Sequence, residues 1–90
     1  MPHTISVTST APDRVHVVVE ERGSRTEHDV TVRPEDLARY APGASAEALV
    51  RASFEFLLER EPKESILRRF EVPVIERYFP EYARVIRDRV

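Results

Sequence analysis

Residues 45–62 of this 90-residue chain read SAEALVRASFEFLLEREP, and the rest of the sequence is organised around them. Ser45 is a residue type that caps helix N-termini, and Glu47 follows in the first turn, where a carboxylate stabilises the helix dipole. Pro62 cannot continue a helix, because it lacks an N–H and its ring clashes with the preceding turn. The stretch therefore predicts a main helix over residues 46–61.

Apolar side chains occupy most of the circumference of this predicted helix. One narrow charged stripe interrupts them, and we expect it to be a solvated face with ion pairs four residues apart. The stripe consists of Glu47, Arg51, Glu55 and Glu59. A helix that packs against one layer needs an apolar face of only about 100°. We therefore expect two covers for this helix, a sheet on one side and the C-terminal helices or a second copy of the chain on the other.

The residues before the main helix alternate between apolar and polar side chains. This period of two is typical of half-buried strands, and it predicts three strands at about residues 4–10, 14–21 and 26–32. Pro12 favours a turn after the first strand, and Gly23 supplies the positive φ of a tight hairpin after the second. The expected product is a three-stranded antiparallel meander, which needs a helix to cover its apolar face.

Short helices account for the remaining segments. Pro34 suits the start of a helix over residues 35–40, because the N–H that it lacks would have no partner there. Further prolines divide the C-terminal apolar pattern and predict helices at residues 63–70, 73–79 and 81–89. We therefore expect a single α+β domain over residues 1–90.

Composition and motifs argue against several classes of function. The formal net charge is −2, cysteine is absent, and no apolar run approaches the roughly 20 residues of a membrane helix. We expect a cytoplasmic protein without signal peptide or membrane contact. His3, His16 and His28 are expected at surface or strand-end positions and not around a metal. Without a nucleophile elbow or phosphate loop, we predict no enzyme activity, no cofactor and no small-molecule substrate.

Residues 64–89 offer an alternative to a purely structural role. Two short helices with a tight connection outline a helix-turn-helix, although Pro80 would truncate its recognition helix. The candidate nucleic-acid contacts are Arg68, Arg69, Arg84 and Arg87. The negative net charge supplies little of the non-specific attraction on which DNA binding depends. We keep a DNA-binding regulator as the alternative hypothesis.

Three aromatic residues near Pro80 suggest the main functional hypothesis. Tyr78, Phe79 and Tyr82 are of the types enriched in interface cores, although they are also suited to covering the second face of the main helix. An unpaired sheet edge is a second surface that could recruit a partner. We therefore predict a non-enzymatic interaction or regulatory module, homodimeric or an accessory subunit, that uses a sheet edge or this aromatic region.

Two runs in the second half of the chain carry a resemblance. One is FEFLLEREP at residues 54–62, continued by Ser65, Ile66 and Leu67, and the other is YFPEY at residues 78–82. In these runs the chain resembles a class of small uncharacterised bacterial proteins, in which a short β-rich part precedes such a helical tail. The resemblance covers about half of the chain. It implies a stand-alone bacterial cytoplasmic protein and brings no activity, cofactor or binding residue with it.

Overall fold

A computed structural model describes residues 3–90 and places a four-stranded sheet against four helices. The strands are β1 (Thr4–Ala11), β2 (Arg14–Glu21), β3 (Ser24–Thr31) and β4 (Arg69–Glu71), and the helices are α1 (Pro34–Tyr40), α2 (Ala46–Leu58), α3 (Pro73–Tyr78) and α4 (Tyr82–Arg89). A 3₁₀ turn at Lys63–Ser65 connects α2 to β4. The strand order is β1-β2-β3-β4, so the predicted α+β class and antiparallel meander are confirmed.

The local signals that begin these elements act as the sequence predicts. Ser45 Oγ accepts a hydrogen bond of 3.0 Å from the Ala48 N–H and so caps α2. Pro34 and Pro73 each occupy the first turn of their helix. In the β2–β3 hairpin, both Arg22 and Gly23 have positive φ, at 53° and 79°. This conformation matches the right-handed twist of the strands, and it is unusual for a residue such as arginine.

Helix α2 is covered on both sides by its own chain. Phe54 faces the sheet, where its ring centroid lies 6.2 Å from that of Phe70 in β4. Phe56 faces the C-terminal helices, and its ring centroid lies 5.9 Å from that of Phe79 and 5.3 Å from that of Tyr82. Both α2 phenylalanines are fully buried. The prediction of two covers is confirmed, and no second copy is needed to shield this helix.

The helix predicted over residues 63–70 is wrong. After the 3₁₀ turn the chain extends into β4, which pairs in parallel with β3, so that Phe70 lies beside Val30. The Asp29 N–H donates to the carbonyl of Arg68 at 2.8 Å. Residues 69–72 alternate between exposed and buried, which is the period of a strand. The unpaired edge of β3 supplies the partner that makes this short strand stable, and a local pattern cannot reveal that edge.

The main helix also ends three residues before its predicted end at residue 61. The N–H groups of Arg60 and Glu61 both donate to the Leu57 carbonyl at 2.9 Å, so the chain tightens into a turn directly after Leu58. Pro62 disfavours a helical conformation at Glu61, so the helix does not include its predicted last residue. The remaining elements begin or end within two residues of their predicted bounds.

Candidate functional site

Two residues of the charged stripe of α2 bond to one edge of the sheet. Arg51 donates to the Ile5 carbonyl at 2.8 Å, and Glu47 accepts from the Ser9 N–H at 3.3 Å. In a strand, residues an even number of positions apart point their backbone groups in the same direction. The bonds at Ile5 and Ser9 therefore lie along the same side of β1. The stripe is exposed, as expected, but Glu47 and Arg51 bond to the strand and not to each other. These two bonds therefore occupy part of the backbone edge that a partner strand could use.

The opposite edge of the sheet offers little backbone. Strand β4 has only three residues, and the chain turns into α3 directly after Val72. The N–H of Val72 already donates to the Thr31 carbonyl at 3.1 Å, and Pro73 has no N–H. Strand β4 therefore offers a partner only a short row of backbone groups, and it covers β3 only along residues 29–31.

His28 lies in the core and fixes the segment that follows the 3₁₀ turn. Its Nδ1 donates to the Leu67 carbonyl at 2.8 Å, so Nε2 accepts from the Thr26 hydroxyl at 2.8 Å. Its ring lies 5.1 Å from that of Phe54, and burial lowers the pKa of His28. The expectation of a surface or strand-end position is wrong here. Thr26, His28 and Val30 are each two residues apart in β3, so their side chains share its buried face, and this alternation could have predicted a buried His28.

His16 lies on the opposite, solvent-facing side of the sheet. Its ring nitrogens lie 3.0 Å from an Asp29 oxygen and 3.1 Å from a Glu27 oxygen. The hydrogen bond with Asp29 raises the pKa of His16, and the same bond lowers the pKa of Asp29. No group of three or more metal-binding side chains is found among residues 3–90. The arrangement is an ion-pair cluster on an open sheet face.

An apolar cleft of about 220 Å³ opens beside the C-terminal end of α2. The side chains around it come from α2, the 3₁₀ turn, β4 and α3, and they include Leu57, Ile66, Phe70, Val74, Ile75 and Phe79. Two lining residues are exposed large hydrophobic side chains, since Leu67 is 47% and Tyr78 is 68% exposed. Because His28 holds the Leu67 backbone, this part of the rim is fixed to the core.

Glu61 is the single charged residue among those that line the cleft. Burial alone raises the pKa of its carboxyl, and no ion pair to it is found within residues 3–90. The adjacent Arg60 is engaged elsewhere, because its guanidinium lies 3.6 Å from the centre of the Phe56 ring and its Nε donates to Glu81 at 3.1 Å. The cleft therefore combines apolar walls with one carboxylate that lacks a cation.

The structure separates the three residues predicted for an interface. Tyr78 is exposed at the rim and Phe79 lines the cleft, whereas Tyr82 is fully buried. Ser53 donates to the Leu49 carbonyl at 2.7 Å, so the Tyr82 hydroxyl donates to Ser53 Oγ at 2.7 Å. Burial raises the pKa of Tyr82. Tyr82 thus covers the second face of α2 and is not accessible to a partner.

The four arginines predicted for nucleic-acid contact lie on two different elements. Arg69 is the first residue of β4 and lies next to Asp29 on the solvent-facing side of the sheet, and Arg68 directly precedes it. Arg84 and Arg87 lie on α4, where Arg87 donates to the Arg39 carbonyl at 2.9 Å. The first helix of the predicted helix-turn-helix does not form, so these residues are not presented by that motif.

Comparisons with protein-family models, with curated proteins and with solved structures give no match for this chain. No helix within residues 3–90 is long and apolar enough to cross a membrane. The resemblance to small bacterial proteins stays a prediction.

Proposed function

We propose that this chain is a non-enzymatic protein-interaction module and that the cleft beside Glu61 is its binding surface. The observation that carries the proposal is the exposure of Leu67 and Tyr78 at one cleft. Only three large hydrophobic side chains are exposed among residues 3–90, and two of them border this cleft. Single exposed apolar residues need no explanation, but apolar residues grouped around a concave surface mark interaction sites.

The chemistry of the rim favours a protein partner. Tyrosine is enriched at the energetic centres of interfaces, because its ring buries a large area and its hydroxyl can still find a hydrogen bond. The cleft is smaller than the pockets of about 300–1,000 Å³ that hold drug-sized ligands. A volume of about 220 Å³ suits one or two anchoring side chains. A homodimer or an accessory subunit, in the cytoplasm, fits this surface and a chain without cysteine.

The DNA-binding alternative has no comparable support. It depends on a helix over residues 64–70, where the chain instead forms a turn and a strand. The net charge of −2 adds no general attraction to phosphates. We do not propose it further, and the absence of a mobility shift at low salt would agree with this choice.

Site-specific photo-crosslinking tests the proposed surface directly. A photoreactive phenylalanine analogue at position 78 is expected to give discrete protein adducts in cells, and Leu67→Ser is expected to reduce them. The same analogue at Arg25, which lies on the exposed hairpin end of β3, is the matched control. Equal labelling from positions 78 and 25, or adducts unchanged by Leu67→Ser, would contradict the proposal.

A further inference from the structure

The cleft specifies the chemistry of the group that would fill it. Its apolar walls favour an apolar side chain, and the unpaired Glu61 carboxylate favours a cation next to that side chain. Glu61 is partly buried, and a carboxylate that has lost part of its water gains from a nearby cation or donor. The cleft therefore calls for a segment in which a large apolar residue lies directly beside an arginine or a lysine.

The surface of this protein itself carries two such segments. Both exposed hydrophobic rim residues have a basic sequence neighbour, in Leu67-Arg68 and in Arg77-Tyr78. The side chains of Arg68 and Arg77 are exposed, and within the described part of the chain neither of them forms an ion pair. The rim therefore presents both an apolar side chain and an arginine, which are the groups that could fill the cleft beside Glu61.

Resting on the proposed function, we infer that the occupant is a second copy of this chain, joined in a two-fold symmetric dimer. Tyr78 of one protomer enters the cleft of the other, and Arg77 pairs with the partner subunit's Glu61. Tyr78 and the cleft lie on the same surface of the protein. A two-fold dimer requires this, because each protomer then offers its partner both the side chain and the cleft. Tyrosine and arginine are also the residue types that dominate such contacts.

The size of the patch sets the strength of this association. A stable interface of standard size buries about 800 Å² per partner, and the whole accessible surface here is 5366 Å². A cleft formed by ten residues is smaller than that standard patch. We therefore expect a reversible dimer with a dissociation constant in the micromolar range, which is the weak end for specific interfaces.

Sedimentation analysis of the purified full chain tests the dimer. Its average mass is expected to rise from monomer towards dimer between about 1 µM and 1 mM, the range that a micromolar constant implies. Tyr78→Ser is expected to raise the dissociation constant at least about tenfold, as for an interface anchor. Val90→Ser is the matched control, because Val90 is 43% exposed but lies outside the cleft, and it is expected to change nothing.

A charge exchange identifies the pairing in a way that a folding defect cannot imitate. Glu61→Arg alone and Arg77→Glu alone each place like charges at both halves of the interface, so each variant is expected to be monomeric. Mixing the two variants places opposite charges at both halves, and the heterodimer is expected to form. Circular dichroism checks that each variant is folded.

Two results would overturn the inference. One is a wild-type chain that stays monomeric over the whole concentration range, and the other is a dimer that Tyr78→Ser and the charge exchange leave unchanged. If the wild type is monomeric while photo-crosslinks at position 78 still capture other proteins, the self-association is wrong and the interaction function stands. If position 78 gives no specific adducts at all, the proposed function fails with it.

Discussion

The two ends of helix α2 meet their surroundings in opposite ways. Near its N-terminal end, Glu47 and Arg51 bond to the backbone of β1 and cover part of the sheet edge. Beyond its C-terminal end, Glu61 lines an open cleft without a cation. Both ends use charged side chains, so residue type alone does not tell a group that is paired within the chain from one that is not. The difference lies in whether the chain itself supplies the opposite partner.

Truncating an aromatic side chain is expected to lower the free energy of unfolding strongly in the core around α2 and only weakly at the cleft rim. Phe56→Ala removes a fully buried ring that contacts Phe79 and Tyr82, and we expect it to lower the free energy of unfolding by about 3–5 kcal/mol. Tyr78→Ala at the open rim is expected to change it by less than about 0.5 kcal/mol. Urea denaturation of both variants measures the contrast. Equal losses would show that the rim is part of the core.

His28 gives the second largest effect and connects the core to the open cleft. His28→Phe keeps a ring against Phe54 but leaves the Leu67 carbonyl without its donor, and we expect a loss of about 1–3 kcal/mol at pH 7. Urea unfolding measures the loss. A variant as stable as the wild type would mean that the bond between His28 and Leu67 contributes nothing.

The same variant also predicts a pH dependence. Burial lowers the pKa of His28 below the value of 6.5 in the unfolded chain, so the unfolded state binds more protons. This contribution is fully present above that value and is lost as the pH falls through the folded pKa. From pH 7 to pH 5 the wild type should therefore lose stability relative to His28→Phe. The opposite trend of His16, whose pKa is raised, is present in both proteins and cancels in the difference.

A smaller effect is expected at the closed edge of the sheet. Arg51→Ala removes a charged donor to the Ile5 carbonyl, and we expect a loss of about 1 kcal/mol together with faster aggregation through β1. Glu55→Ala is the matched control on the same exposed stripe. Chemical denaturation and light scattering measure the two consequences. Identical behaviour of the two variants would show that Arg51 does not protect the edge.

The smallest effect on stability is expected at Glu61, where the substitution should stabilise the protein and not destabilise it. Glu61→Gln removes a partly buried carboxylate that has no nearby cation, so the monomer should become slightly more stable at pH 7. The gain should disappear as the pH is lowered and Glu61 of the wild type takes up a proton. Thermal unfolding at low protein concentration measures this change without a contribution from self-association. A destabilised variant would indicate that Glu61 has a partner within the chain.

Local patterns in the sequence predicted most of the fold, but they predicted little of the cleft. The alternating valines of β2, the cap at Ser45 and the surplus apolar circumference of α2 each predicted what the structure contains. The helix predicted at residues 63–70 was wrong because the segment ends in a strand that pairs with β3, which lies far away in the sequence. The cleft could not be predicted for the same reason, since its walls come from four separate elements.

The parallel pairing of β4 with β3 has a consequence for synthesis on the ribosome. Residue 29 pairs with residue 69, so all of β3 is translated before the strand that covers part of its outer side. During that interval the outer row of β3 amides is uncovered, and such transient edges promote intermolecular pairing. Chains released before residue 69 should therefore coaggregate more readily than the 90-residue chain.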